Sequence, residues 1–181
     1  MMDEAGVKKV MDALCPEGGP GAFAVLDGAS IPRLLEALYG QPPEYFCLLP
    51  GELTADLAAV APYLVELPPD APFTRWVISE GWGNHWGIFA QSAENSRIVR
   101  NHFGSLLTVQ SSQGKPMMFR FYDPRVLRVY LPTCNPEETR AVFGPVTAFL
   151  LEAQEEHLLL RLTPGPDGPL REEIPLKAAQ A

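Results

Sequence analysis

The feature that most restricts the fold is an alternation of short apolar runs with segments of helical spacing. AFAVLDGAS (residues 22–30) is an apolar run closed by Asp27-Gly28, which reads as a buried strand ending in a turn. Ser30 then stands as N-cap, Pro32 is tolerated in the first turn, and Ile31, Leu34, Leu35 and Leu38 recur on one helical face until Gly40. The pattern repeats. EYFCLLPG reads as a strand, LTADLAAVA as a short helix with Leu53, Leu57 and Val60 facing one way, and PYLVELP as a third strand. PFTRWVISEG follows as a helix presenting Phe73, Trp76 and Val77 to the core, then HWGIFAQS as a fourth strand. NSRIVRNHFGSLL is a further helix, with Val99, His102, Phe103 and Leu106 on one stripe.

Beyond residue 106 the rhythm changes. LLTVQ and PMMFRFYD read as a hairpin across SSQGK, and two short helices follow, PRVLRVYL and PEETRAVFG. The second has a full start signal in Asn135, Pro136 and Glu138. VTAFLLEA and HLLLRLTP form a second hairpin across QEE. The expected architecture is α/β: a three-layer mixed sheet with parallel strands first, antiparallel hairpins later, and helices on both faces. Residues 1–164 are expected as one domain and 165–181, GPDGPLREEIPLKAAQA, as a Pro/Gly-rich C-terminal tail, extended or loosely attached.

Composition narrows the function. A formal net charge of -8 argues against nucleic acid and anionic membranes, which require clustered cations. The N-terminus lacks the apolar run of a signal peptide, and no stretch is long enough to span a bilayer, so a cytoplasmic location is expected. Cys15, Cys47 and Cys134 are widely separated and read as free thiols. No His/Cys spacing supports a zinc site, and neither a nucleophile elbow nor a phosphate loop is present, so no catalytic residue, metal or cofactor is expected. His102 reads as a boundary histidine, and His157 opens an edge strand beside acidic residues.

Two segments stand out. FRFYDPR (residues 119–125) reads as a strand-to-helix corner, with Phe119 and Phe121 on one strand face and Arg120 and Tyr122 on the other. Asp123 caps the helix, Pro124 suits its first turn, and Val126, Leu127, Tyr130 and Leu131 make its buried stripe, away from Arg125 and Arg128. A guanidinium in a doubly covered sheet needs carboxylates, so Arg120 is expected to pair with Asp27 or Glu66. GWGNHWGIF places Trp82, Asn84, His85 and Trp86 in one loop, which either pads the core rim, lines a ligand mouth at the edge of the sheet, or is offered to a protein partner. Ile174 and Leu176 in the tail could dock on a groove or add a strand to an edge of a partner, and could equally be frayed or dock on the chain's own domain.

WGIFAQS, an amphipathic helix, FRFYDPRVL and LPTCNPEETRAVFGPV, with AFAVLDGA near the start, together resemble the family of type VI secretion effector adaptors and chaperones built on a domain of unknown function. The likeness runs from about residue 22 to about residue 161, and its signature maps to Phe119, Arg120, Phe121, Tyr122, Asp123, Pro124, Arg125, Val126 and Leu127. It implies a cytoplasmic, non-enzymatic protein that binds a secreted effector and helps load it onto the VgrG spike. The signature residues are expected to be structural. Longer members carry a helical C-terminal lobe, whose place here is taken by the tail. Two rival readings remain: a small α/β enzyme with a pocket joining Asp27, His85 and Arg120, and an immunity protein that neutralises a toxin.

Overall fold

A computed structural model describes residues 2–40, 44–111, 113–155 and 157–176. Its elements are α1 (Glu4–Leu14), β1 (Gly21–Asp27), α2 (Leu34–Gly40), β2 (Tyr45–Cys47), α3 (Ala55–Val60), β3 (Pro62–Glu66), α4 (Pro72–Gly81), β4 (Gly87–Ser92) and α5 (Ser96–Leu106). They continue as β5 (Thr108–Gln110), β6 (Pro116–Met118), α6 (Pro124–Tyr130), α7 (Pro136–Phe143), β7 (Val146–Glu152), β8 (Leu158–Gly165) and β9 (Gly168–Pro175). Seven strands form one sheet in the order β2-β3-β1-β4-β7-β8-β9, and β5 and β6 form a separate pair.

The expected parallel start is not found: each pair of neighbouring strands described in the sheet is antiparallel. The reason lies in strand insertion. Since β3 and β4 both run against β1, they are parallel to each other, and α4 connects them by a crossover with β1 lodged between. In the same way β1 and β2 run the same way with β3 between them. The strand–helix–strand rhythm thus does mark crossovers, of the split kind, but says nothing of a third strand filling the gap. Nor does the run of apolar residues in β1 betray direction. Ala22, Ala24 and Leu26 enter one core while Phe23 and Val25 enter the other, so both faces are buried.

One core layer gathers Val7, Val10 and Leu14 of α1, Leu34 and Leu38 of α2, and Phe73, Val77 and Ile78 of α4. The opposite layer gathers Val99 and Phe103 of α5, Phe121, Leu127 of α6, and Val142 and Phe143 of α7. Helix α1 was not anticipated as an element; Asp3 caps it by accepting the Gly6 N–H at 2.8 Å. Helix α2 starts later than expected. The Ser30 hydroxyl donates to Asp27 at 2.8 Å, and Arg33 adopts φ +63° just ahead of the first turn. Helix α3 buries no residue, so Leu57 and Val60 lie on the surface rather than in the core.

Helix α7 starts as its sequence predicts, with the reciprocal box of Asn135 and Glu138. At its far end the His102 ring of α5 sits against Gly144 (φ +49°), where a Cβ would overlap the imidazole. His102 Nε2–H donates to the Val142 carbonyl at 2.8 Å. Burial pushes the His102 pKa below its ordinary 6.5, against the raising effect of that hydrogen bond. Below 6.5 the unfolded chain therefore binds a proton that the folded chain resists. Stability from this group is complete at neutral pH and falls as pH drops through 6.5. His102→Gln should flatten the pH dependence of the denaturation midpoint between neutrality and mild acid; an unchanged slope would contradict this assignment.

The hairpin of β7 and β8 forms as expected. The segment expected as a tail does more, because Gly168–Pro175 pairs with β8 from Leu158↔Pro175 to Gly165↔Gly168. Its strand supplies the sheet edge. Residues 177–181 of that expected tail lie outside the described residues. Among the described residues no helix is long and apolar enough to cross a membrane.

Candidate functional site

Antiparallel order brings the end of β1, the start of β4 and the end of β7 to the same edge of the sheet: Leu26 faces Gly87, and Phe89 faces Leu150. Gly87 is obligatory there, since a Cβ would collide with the Val25 carbonyl of the adjacent strand. Over this edge lies the 119–125 corner. It is not a strand: β6 ends at Met118, and a turn carries the Asp123 N–H to the Arg120 carbonyl at 3.0 Å. The expected alternation of faces is therefore lost. Phe121 and Tyr122 are both buried in the same core layer, while Phe119 packs edge-on against Tyr130 at 4.7 Å.

What the turn places is charge. Asp27, 2% exposed, accepts hydrogen bonds from the Ala29 N–H (3.1 Å), the Ser30 hydroxyl (2.8 Å) and Arg120 Nη2 (2.7 Å). Of the two carboxylates expected for Arg120, Asp27 is the partner; Glu66 pairs with Phe23 near the other end of β1. Asp123 caps α6 through the Arg125 N–H at 3.0 Å and binds the Arg125 guanidinium through Nε (3.0 Å) and Nη2 (2.8 Å). Arg120 Nη2 also comes within 3.9 Å of Asp123, so Asp27, Arg120, Asp123 and Arg125 form a continuous chain of alternating charge. Burial opposes ionisation of Asp123, but the hydrogen bonds and charges of Arg125, with Arg120, outweigh it and hold the carboxyl below its ordinary range.

Beside this chain, the buried Glu152 at the end of β7 accepts the Gly83 N–H at 2.6 Å and pairs with His85 Nδ1. It thereby fixes the tryptophan loop, with His85 at φ +57°. Glu152 was not foreseen as a site residue. Its only trace in the sequence is an acidic side chain ending the apolar run VTAFLLEA. Trp82 is buried and stacked on Phe89 (6.5 Å, 11° between planes), and Trp86 is half-buried against Trp76 at 4.8 Å. Leu176 is 3% exposed and Ile174 packs on the same core layer. Trp82 and Leu176, considered for partner contact, thus belong to the core of their own domain; Trp86, His85 and Ile174 keep only part of their surface.

The geometry brings Asp27 and Arg120 together but places His85 on Glu152 instead. A cavity of about 10 Å³ lies beside them, lined by Leu26, Val77, Trp82, Trp86, Phe89 and Glu152, among others. That is room for roughly one water. Its lining includes neither Asp27, His85 nor Arg120. Among the described residues no group of three or more His, Cys, Asp or Glu is placed to hold a metal ion. The carboxylates are used to tie loop, corner and sheet edge together, which is the chemistry of a brace.

Fold and corner define a three-layer α/β domain with an antiparallel sheet and an ion-paired strand-edge turn. A family model described as "Domain of unknown function (DUF4123)" matches residues 22–141, about two thirds of the chain, and the protein belongs to that family. The match contains the corner and the tryptophan loop but ends within α7, before β7, β8 and β9. No curated protein and no solved structure matches the chain.

Proposed function

We propose that the protein is an adaptor that binds a secreted effector of a type VI secretion system and promotes its loading onto the VgrG spike, in the cytoplasm and without catalysis. The observation that carries this reading is membership of the unknown-function family across residues 22–141, joined to the Phe119–Leu127 signature on which the resemblance to effector adaptors rests. The corner's own chemistry is compatible with it. Arg120, Asp123 and Arg125 are engaged with one another and with Asp27, and Phe121 is a core residue. An adaptor works by stoichiometric contact, so its surface has to retain apolar area for a partner. Met117, Met118, Val129 and Tyr130 supply such area.

The test is co-expression with the protein encoded beside it. The expected result is a complex of fixed stoichiometry, measured by light scattering after size exclusion, with an unmodified client. Absence of any complex would contradict the reading. A complex that protects cells from the client while leaving its export unchanged would instead identify an immunity protein.

A further inference from the structure

Charge is divided unevenly through this fold. Residues 94–145, which supply α5, the β5–β6 pair, α6 and α7, hold seven Lys/Arg against four Asp/Glu, whereas the rest of the chain holds seven against eighteen. These elements form one layer, because Val99, Phe103, Leu127, Val142 and Phe143 pack into the same core on one sheet face. By its own residues this layer carries net charge +3 in a protein whose total is -8, and Asp27 and Glu44 reach it from outside to bind Arg120 and Ser96. Composition alone hides this, since the acidic total masks the basic face.

The same layer carries most of the exposed apolar surface. Of the nine large apolar side chains exposed among the described residues, five lie on it: Ile98, Met117, Met118, Val129 and Tyr130. Four of them lie on β6 and α6, and Ile98 lies on α5. Tyr130 of α6 meets the Phe119 ring, and Phe119 directly follows Met118, so β6 and α6 share one patch. All three residues of β6 are exposed, and a two-stranded ribbon of this length has little stability of its own. Cations border the patch. Half-buried Arg128 donates to the Ala153 carbonyl at 3.0 Å and has no carboxylate partner among the described residues, and exposed Lys115 immediately precedes β6.

We infer that this face, centred on Met117, Met118, Val129 and Tyr130, docks an acidic polypeptide segment bearing apolar side chains. Methionines adapt to the shape of what they contact, and a positive rim steers an acidic partner while rejecting a basic one. A nucleic acid would need a continuous track of phosphate-binding cations, and here apolar side chains occupy the centre of the patch. The inference rests on the adaptor reading in supposing a polypeptide partner, and adds to it the surface and the partner's chemistry.

Fluorescence anisotropy on the full chain tests it, with a synthetic peptide of Glu, Leu and Phe and a counterpart carrying Lys for Glu. The acidic peptide is expected to bind and to weaken with added salt, and the basic one is not. Combining Lys115→Glu with Met118→Glu should reduce affinity at least about tenfold, while Leu57→Glu on α3 leaves it unchanged. Both positions in the double variant are exposed, so an unchanged melting temperature verifies its fold. Equal binding of the two peptides, or equal loss in the α3 variant, overturns the inference. So does tighter binding of oligothymidylate, or self-association that Met118→Glu abolishes. A client complex that forms and survives the double variant removes this surface assignment but leaves the adaptor reading standing. Peptide binding with no client complex does the reverse.

Discussion

Replacing Phe121 by alanine should lower the unfolding free energy by about 3–5 kcal/mol, the largest single effect we expect from the corner. Phe121 is fully buried, with Phe103 at 5.3 Å, Tyr122 at 5.8 Å and Phe119 at 6.2 Å between ring centroids. It joins α5 to the turn that positions Arg120, so the lost ring leaves a cavity under the point where corner meets core. For a chain of this size the melting temperature should drop on the order of 10 °C. Urea unfolding should show a lower midpoint at an unchanged slope. Client binding, measured below the melting transition, should persist in the folded fraction. A loss below about 1 kcal/mol would show that the corner does not depend on this ring.

Arg120→Met is the second. It removes the cation facing Asp27, whose side chain is 3% exposed, and leaves a buried carboxylate with only the Ala29 N–H and Ser30 hydroxyl. Breaking a fully buried pair costs about 3–5 kcal/mol, but the Arg120 side chain is 46% exposed, so about 1–3 kcal/mol is the expected loss. Asp27→Asn combined with Arg120→Met should recover part of it, because the uncompensated charge is then gone. A double-mutant cycle in denaturant measures the coupling. Unchanged stability with lost client binding would reassign Arg120 from brace to partner contact.

Some of this was written plainly in the chain. The caps at Asp123 and Asn135 involve neighbours in sequence. The need of Arg120 for a carboxylate was legible, with Asp27 and Glu66 both open, but the strand expected to carry it is a turn that leaves the side chain 46% exposed. What escaped depends on contacts distant in sequence. Direction in β1 could not be read, because side chains buried on both faces erase the alternation that would distinguish a half-exposed antiparallel strand. Glu152 and His85 are sixty-seven positions apart, and only the completed sheet brings them together. The 165–176 segment looked loose by composition; yet Gly168 at φ +138° closes a tight turn, and β8 then offers an edge to pair with. Helix α1 was legible after all: Val7, Val10 and Leu14 keep helical spacing beneath a face carrying Glu4, Lys8 and Asp12.

The most direct trial of the adaptor account is a secretion assay in the native cell. With the gene deleted, the neighbouring client should remain inside while the secretion apparatus still exports its own structural components, and a copy of the wild-type chain should restore export. Normal export of the client in the deletion strain would contradict the account.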